Sequence, residues 1–198
     1  MPNIDVVTLD AGALAARGIE RRVVGALPLP TGRIVAADIA SNPDRWPLAR
    51  RVPAGTYEAR AYLADDAVAL LELRLAEGEV ARWAEAGVEG GAAYAHPSDA
   101  GLSAFLDVEA RDAMMAIDRD LMERGSDFYH ERLDPVLWGD GFYAVLFDVT
   151  GDGALKAVVS ASGYGDGIYG VWWGLDEEGR ALTLVTDYGV LEDGRVVR

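Results

Sequence analysis

Leu71, Leu73 and Leu75 alternate with Glu72 and Arg74, a two-residue period that turns one face of a strand toward a core. The predicted strand covers residues 68–75. An Asp65-Asp66 turn joins it to an earlier strand over 56–63, launched by the Pro53-Ala-Gly55 turn, and Glu77-Gly78 closes it. Residues 80–86 read as a third strand, with a helical turn over 81–86 as the alternative. Three such segments with short turns predict an antiparallel meander. Upstream, residues 22–27 and 32–39 read as short strands around Pro28-Leu-Pro-Thr-Gly32, after a short helix capped by Asp10 that runs through Leu14 and Arg17. Asn42 to Pro47 carries two prolines and is expected to be loop.

The period lengthens after Asp107. Ala110, Ala113, Met114, Ile117, Leu121 and Met122 recur at helical spacing, predicting a helix over about 107–123 with Asp107 as N-cap and Gly125 as its stop. That stripe reads as core rather than as a cofactor contact. Residues 100–107 lead into the helix, and 87–98 are a loop or an edge strand. Residues 127–138 predict a second, shorter helix limited by Pro135. Beyond it, strands over 142–149, 155–160, 168–175 and 181–188 are separated by glycine-rich or charged turns and predict a four-stranded meander. The expected architecture is a single α+β domain over 1–198, predominantly antiparallel β meanders with one main helix packed on the sheet. Its expected core is Ile34, Leu71, Leu73, Phe105, Met114, Ile117, Leu121, Val145, Phe147, Val158, Trp172, Leu184 and Val185.

Composition narrows the function classes. The 198 residues carry a formal net charge of −15, which disfavours nucleic-acid backbones and anionic membranes and favours a basic protein partner. Lys156 is the single lysine, so arginine supplies almost all positive charge. With no cysteine there is no thiol nucleophile and no thiolate metal site. No apolar run has the roughly 18 residues of a membrane span, and the start of the chain lacks the features of a secretory signal, so a cytoplasmic location is expected.

Chemistry-bearing motifs are few, and neither a cofactor nor a metal is expected. Gly165-Asp-Gly-Ile-Tyr-Gly170 matches the dinucleotide-turn pattern G-x-G-x-x-G, but a strand-like stretch follows it where a helix is required, and Asp166 would repel phosphate. A glycine-rich hairpin turn is the expected structure. Asp148-Val-Thr-Gly-Asp-Gly153 opens like a calcium loop, yet position twelve is Val159. His96 and His130 are the only histidines and are expected to be exposed; neither H-E-x-x-H nor G-x-S-x-G occurs. Asp107, Asp166 and Asp187 are the candidate catalytic carboxylates, able to hold a hard cation or to act as an acid and base pair if the fold unites them. As a cap, a turn former and a strand-end charge they also have ordinary structural roles. Tyr164, Asp166, Tyr169 and Trp172 are candidate binding residues, because aromatic side chains anchor interfaces. The competing reading places these aromatics in the core, and strand alternation sends either Trp172 or Trp173 there.

Six segments carry a resemblance: residues 29–38 (LPTGRIVAAD), 51–57 (RVPAGTY), 100–107 (AGLSAFLD), 163–169 (GYGDGIY), 173–176 (WGLD) and 184–188 (LVTDY). On them the chain resembles a mainly bacterial family of uncharacterised proteins, domain of unknown function 4241, over about 29–191. GYGDG followed by WGLD is the most specific pair. Gly170 stands where relatives commonly have proline, and Tyr188 where phenylalanine is usual. The resemblance implies no activity. The family is similar to one found beside bacterial toxin loci, which implies an immunity protein that neutralises a basic toxin. A carboxylate-dependent hydrolase, glycoside-type or metal-assisted, is the alternative expectation.

Overall fold

The computed structural model describes residues 3–91, 93–137 and 143–196. A 3₁₀ segment, Asn3–Thr8, and helix α1, Ala11–Ala15, precede strands β1 (Glu20–Leu29), β2 (Ile34–Ala37), β3 (Gly55–Ala64), β4 (Ala67–Arg74), β5 (Arg82–Glu85), β6 (Ala95–Ser98) and β7 (Leu102–Asp107). Helix α2 (Val108–Met122), a π-helical turn (Tyr129–Leu133) and helix α3 (Asp134–Leu137) follow. Strands β8 (Ala144–Asp148), β9 (Lys156–Ala161), β10 (Gly167–Leu175), β11 (Ala181–Asp187), β12 (Leu191–Glu192) and β13 (Arg195–Val196) complete the order. Trp138 and Phe142, at the ends of an expected helix and an expected strand, lie outside the described residues.

Every strand pairing is antiparallel, and the fold is α+β with α2 as its main helix. The larger sheet runs β1-β3-β4-β11-β10, with β5 and β6 pairing with successive stretches of β10. The smaller sheet runs β2-β7-β9-β8. Both expected meanders are therefore only partly formed. β3 and β4 make a hairpin, but β4 takes β11 as its second neighbour and β5 pairs across β10. The reason is burial: β4 is buried from Ala67 through Leu73, so it must be central, whereas Arg82 and Glu85 leave β5 fit only for an edge. The C-terminal strands divide as β8-β9 in the small sheet and β10-β11 in the large one. β9 already has β7 and β8 on its two sides, so residues 162–167 form a crossover between sheets and not a hairpin turn.

The two sheets share a core. Leu27, Leu29, Leu71, Leu73, Val171, Trp173 and Leu184 of the large sheet pack with Ile34, Phe105 and Val158 of the small one, each buried leucine contributing about 2 kcal/mol by transfer from water. Gly25 sits at a register shift in β1, and a Cβ there would meet the Leu146 side chain at 3.0 Å, so glycine lets β8 approach β1. The far face of the small sheet, Val35, Leu102, Ala104, Leu106, Ala157 and Val159, packs with Ala110 and Met114 of α2 and with Phe128, Leu133 and Leu137. Residues 102–107 are thus a strand buried along its whole length, where the sequence suggested only a lead-in to the helix. Ile117, Leu121, Val145 and Trp172 are half-buried, and Met122 is exposed. Trp173 takes the core position because it lies one residue further along the two-residue period of β10.

Local chemistry sets the ends of these elements. Asp10 accepts from Ala13 N to cap α1, and Asp107 accepts from Glu109 N to cap α2. α2 closes in a Schellman turn, with Ser126 N donating to Leu121 O, Gly125 N to Met122 O, and Gly125 at φ 81°. No helix among the described residues is long and apolar enough to cross a membrane. Asp65 and Asp66 turn β3 into β4 with φ of 52° and 61°, the signature of a type I′ turn that favours Asn-Gly. Asp66→Gly is expected to raise stability by about 0.5–1 kcal/mol, read as a higher urea midpoint; an unchanged or lower midpoint would contradict this account of the turn.

Candidate functional site

Asp38 follows β2 directly and its carboxylate is fully buried. Oδ1 accepts from Ala40 N (3.0 Å) and Ser41 N (3.2 Å), and Oδ2 from Asp99 N (3.0 Å), Ala100 N (2.8 Å) and Ser98 Oγ (3.3 Å). Four backbone N–H donors on one carboxylate join two loops that are about 60 residues apart in sequence, with the Ser98 hydroxyl shared between Asp38, the Leu102 carbonyl (2.9 Å) and Ser162. Ser98 Oγ extends the network to Ser162 Oγ (2.9 Å), and Ser162 Oγ donates to Gly165 O (2.9 Å). The crossover 162–167 is thereby held against the same end of the small sheet.

Its own residues complete the hold. Gly163 lies at φ 56°, and a Cβ there would meet Tyr188 Cβ at 2.9 Å and its carbonyl oxygen at 3.0 Å, so no other residue fits without movement. The Tyr169 hydroxyl donates to the carbonyls of Ser162 and Gly165. The Tyr169 ring stands edge-on to Tyr188 at 5.2 Å, and the Tyr188 hydroxyl hydrogen-bonds Ser160 Oγ (2.9 Å). Burial raises the Tyr188 phenol well above its usual range.

The sequence-predicted binding residues divide into two groups. Tyr164 is 64% exposed, Asp166 is exposed, and Ile168, which sequence reading passed over, is 76% exposed. Tyr169 and Trp172 are half-buried and pack on the shared core. The predicted carboxylates take different local roles. Asp107 is fully buried and its oxygens accept from Thr31 N, Thr31 Oγ1 and Glu109 N. It ends β7, about 16 Å along the strand from Leu102, whereas the crossover bearing Asp166 adjoins Gly101 at the other end. Asp187 belongs to the large sheet, where burial raises its pKa against the lowering effect of the Gly189 and Asn3 backbone N–H groups. No three His, Asp or Glu side chains among the described residues form a metal-holding group. In the loop after β8, Asp148 accepts from Gly151 N and Gly153 N, which closes a turn.

His96 corrects the expectation of an exposed imidazole. It is 0% exposed, and neither ring nitrogen has a hydrogen-bond partner. Desolvation pushes its pKa down to about 4, outweighing the Asp38 carboxylate and the Leu102 carbonyl, while Arg45 adds a smaller push in the same direction. His130 is exposed and pairs with Asp127 at 2.8 Å, which raises its pKa. Asp38, Ser98 and Ser162 were not singled out by sequence because single polar residues carry no period. The available signal was Asp38 closing the apolar run Ile34 to Ala37, where a buried charge must find donors.

A family model described as "Protein of unknown function (DUF4241)" matches residues 27–134, more than half of the chain. The chain belongs to that family. The match spans β2, the Asp38 loop, β7 and α2, and ends before the GYGDG and WGLD segments. No match was found among curated proteins or among solved structures.

Two substitutions probe this end of the fold. Asp38→Ala strands four backbone donors and is expected to cost on the order of 3 kcal/mol in a denaturant titration; a loss under about 1 kcal/mol would contradict its central role. For His96, the unfolded chain takes a proton near 6.5 while the native state refuses it until about 4. The stability tied to the neutral ring is complete above pH 6.5 and falls as pH drops toward 4. Between pH 7.5 and 4.5 this loss is on the order of 2–3 kcal/mol. His96→Leu should remove that share of the acid sensitivity, and equal losses in both proteins would exclude it.

Proposed function

We propose that the protein is an acidic protein-binding module that covers a basic surface of a partner protein. The contact is the outer rim of the crossover, with Tyr164 and Ile168 as apolar anchors and Asp166 as the charge that selects a cation. The reading rests on one observation: Tyr164 on the crossover and Ile168 at the start of β10, 64% and 76% exposed, flank the exposed Asp166 carboxylate on a loop that Asp38, Ser98, Ser162 and Tyr169 pin in place. Anchors presented on a fixed backbone lose little entropy on binding. A net charge of −15 speeds encounter with a basic partner and repels acidic ones. Tyr169 and Trp172 support this surface from beneath instead of forming it.

An immunity protein that neutralises a basic toxin in the bacterial cytoplasm is the specific form of this proposal. The experiment is affinity capture from the native host with the wild type and with a Tyr164→Ala, Asp166→Ala, Ile168→Ala variant shown by circular dichroism to be folded. A basic partner retained by the wild type should be bound at least tenfold more weakly by the variant, a loss of about 1.4 kcal/mol or more. High salt should weaken the wild-type complex too. Recovery of the same partners by both proteins would remove the crossover as the binding surface.

A further inference from the structure

The outer face of the large sheet, away from the small sheet, carries an arrangement unusual for so acidic a chain. Arg21 of β1, Arg60 of β3 and Arg74 of β4 lie on a diagonal across three adjacent strands, since Arg21 is opposite Tyr62, Arg60 opposite Glu72, and Arg74 opposite Glu58. Diagonal neighbours on one sheet face stand about 7–8 Å apart, within reach of long side chains. All three arginines line one cavity of about 520 Å³, together with Val7, Leu9, Val80 and Glu79. The chain has 18 lysines and arginines against 33 acids, and three of the arginines gather on one cavity, with Glu79 in its lining and Glu58, Glu72 and Glu77 beside them.

These guanidinium groups are not equally satisfied. Arg60 is anchored, with Nε on Glu58 at 2.6 Å and Nη1 3.7 Å from Glu72. Glu72 itself is fully buried and accepts from the Tyr62 hydroxyl (2.6 Å) and Thr183 Oγ1 (2.8 Å). Arg74 reaches Glu77 at 3.3 Å, but the Glu77 side chain is 93% exposed, so that pair is weak. Arg74 Nε is shielded from solvent and has no acceptor. Arg21 has no ion pair among the described residues. Arg21 and the weakly paired outer nitrogens of Arg74, beside the anchored Arg60, leave guanidinium donors free along the cavity for a polyvalent oxyanion.

We propose that this cavity binds a phosphate group carried on a small organic body. The phosphate sits between Arg21 and Arg74 with Arg60 behind it, and planar guanidinium forks match its oxygens in pairs. The organic body lies along Val7, Leu9 and Val80, and a cavity of about 520 Å³ is the size of a small-molecule pocket. Glu79 stands on the rim and disfavours a second acidic group.

Calorimetric titration of the full chain with inorganic phosphate and with phenyl phosphate, against sodium chloride at matched ionic strength, tests the site. Both phosphates should bind where chloride does not, and phenyl phosphate more tightly. Arg74→Gln and the more exposed Arg21→Gln should each weaken binding about tenfold, the value of one charge-assisted hydrogen bond. Glu77→Gln should strengthen it by freeing Arg74, a gain that no loss of folding can mimic. Equal affinities for the two phosphates would overturn the organic body. Heats no larger than those of chloride, or variants that bind as the wild type does, would overturn the site.

Discussion

The small sheet is buried on both faces, and most of the structure answers to that constraint. One face of β7 and β9 lies against the large sheet and the other against α2 and the segment after it. A strand with no solvent face reads as an almost unbroken apolar run, and β7 is buried from Leu102 through Asp107. Chains that enter or leave such a sheet cannot turn back beside themselves, because both neighbours of each inner strand are already taken. β9, flanked by β7 and β8, passes on to β10 of the other sheet for this reason; β1 and β2, the edge strands of the two sheets, are likewise joined by a link that crosses between them.

Those crossings create the polar end of the molecule. Loops that meet at a sheet end bring backbone N–H groups out of any ladder, and these need acceptors once they are covered. Asp38 supplies them. Ser98, Ser162 and Tyr169 continue the satisfaction outward to the crossover, so the exposed Tyr164, Asp166 and Ile168 stand on a rigid base. His96, unpartnered beneath the same loops, is the weak point of this base under acid. Several acids of this acidic chain are therefore structural: Asp38, Asp107, Asp148 and Glu72 spend their oxygens on internal donors, and the remainder set the surface charge.

The same covering acts on the large sheet. On its outer side lies the N-terminal 3₁₀ segment, whose Ile4 and Val6 are buried with Tyr62 and Leu70, while Val7 and the following Leu9 edge the arginine-lined cavity. Glu72 is held below by Tyr62 and Thr183 and balanced by Arg60, which leaves Arg21 and Arg74 with donor capacity to spare. Cavity and crossover lie in different parts of the fold and draw on different residues.

Elements governed by near neighbours were legible in the chain itself. The α2 stripe, its Asp107 cap and its Gly125 stop are read within a few residues, as are the Asp65-Asp66 turn and the alternation of β4, because helix and hairpin signals act over one or two turns of backbone. Acidity and the absence of thiol chemistry followed from composition. Partnership between distant strands was not legible. β4 meets β11 and β5 meets β10 because of which faces need burial, a property of the assembled layers that no local pattern expresses. For the same reason only the tertiary structure placed Asp107 at the opposite end of β7 from the crossover that bears Asp166, buried Trp173 rather than Trp172, enclosed His96, and drew Arg21, Arg60 and Arg74 onto one cavity.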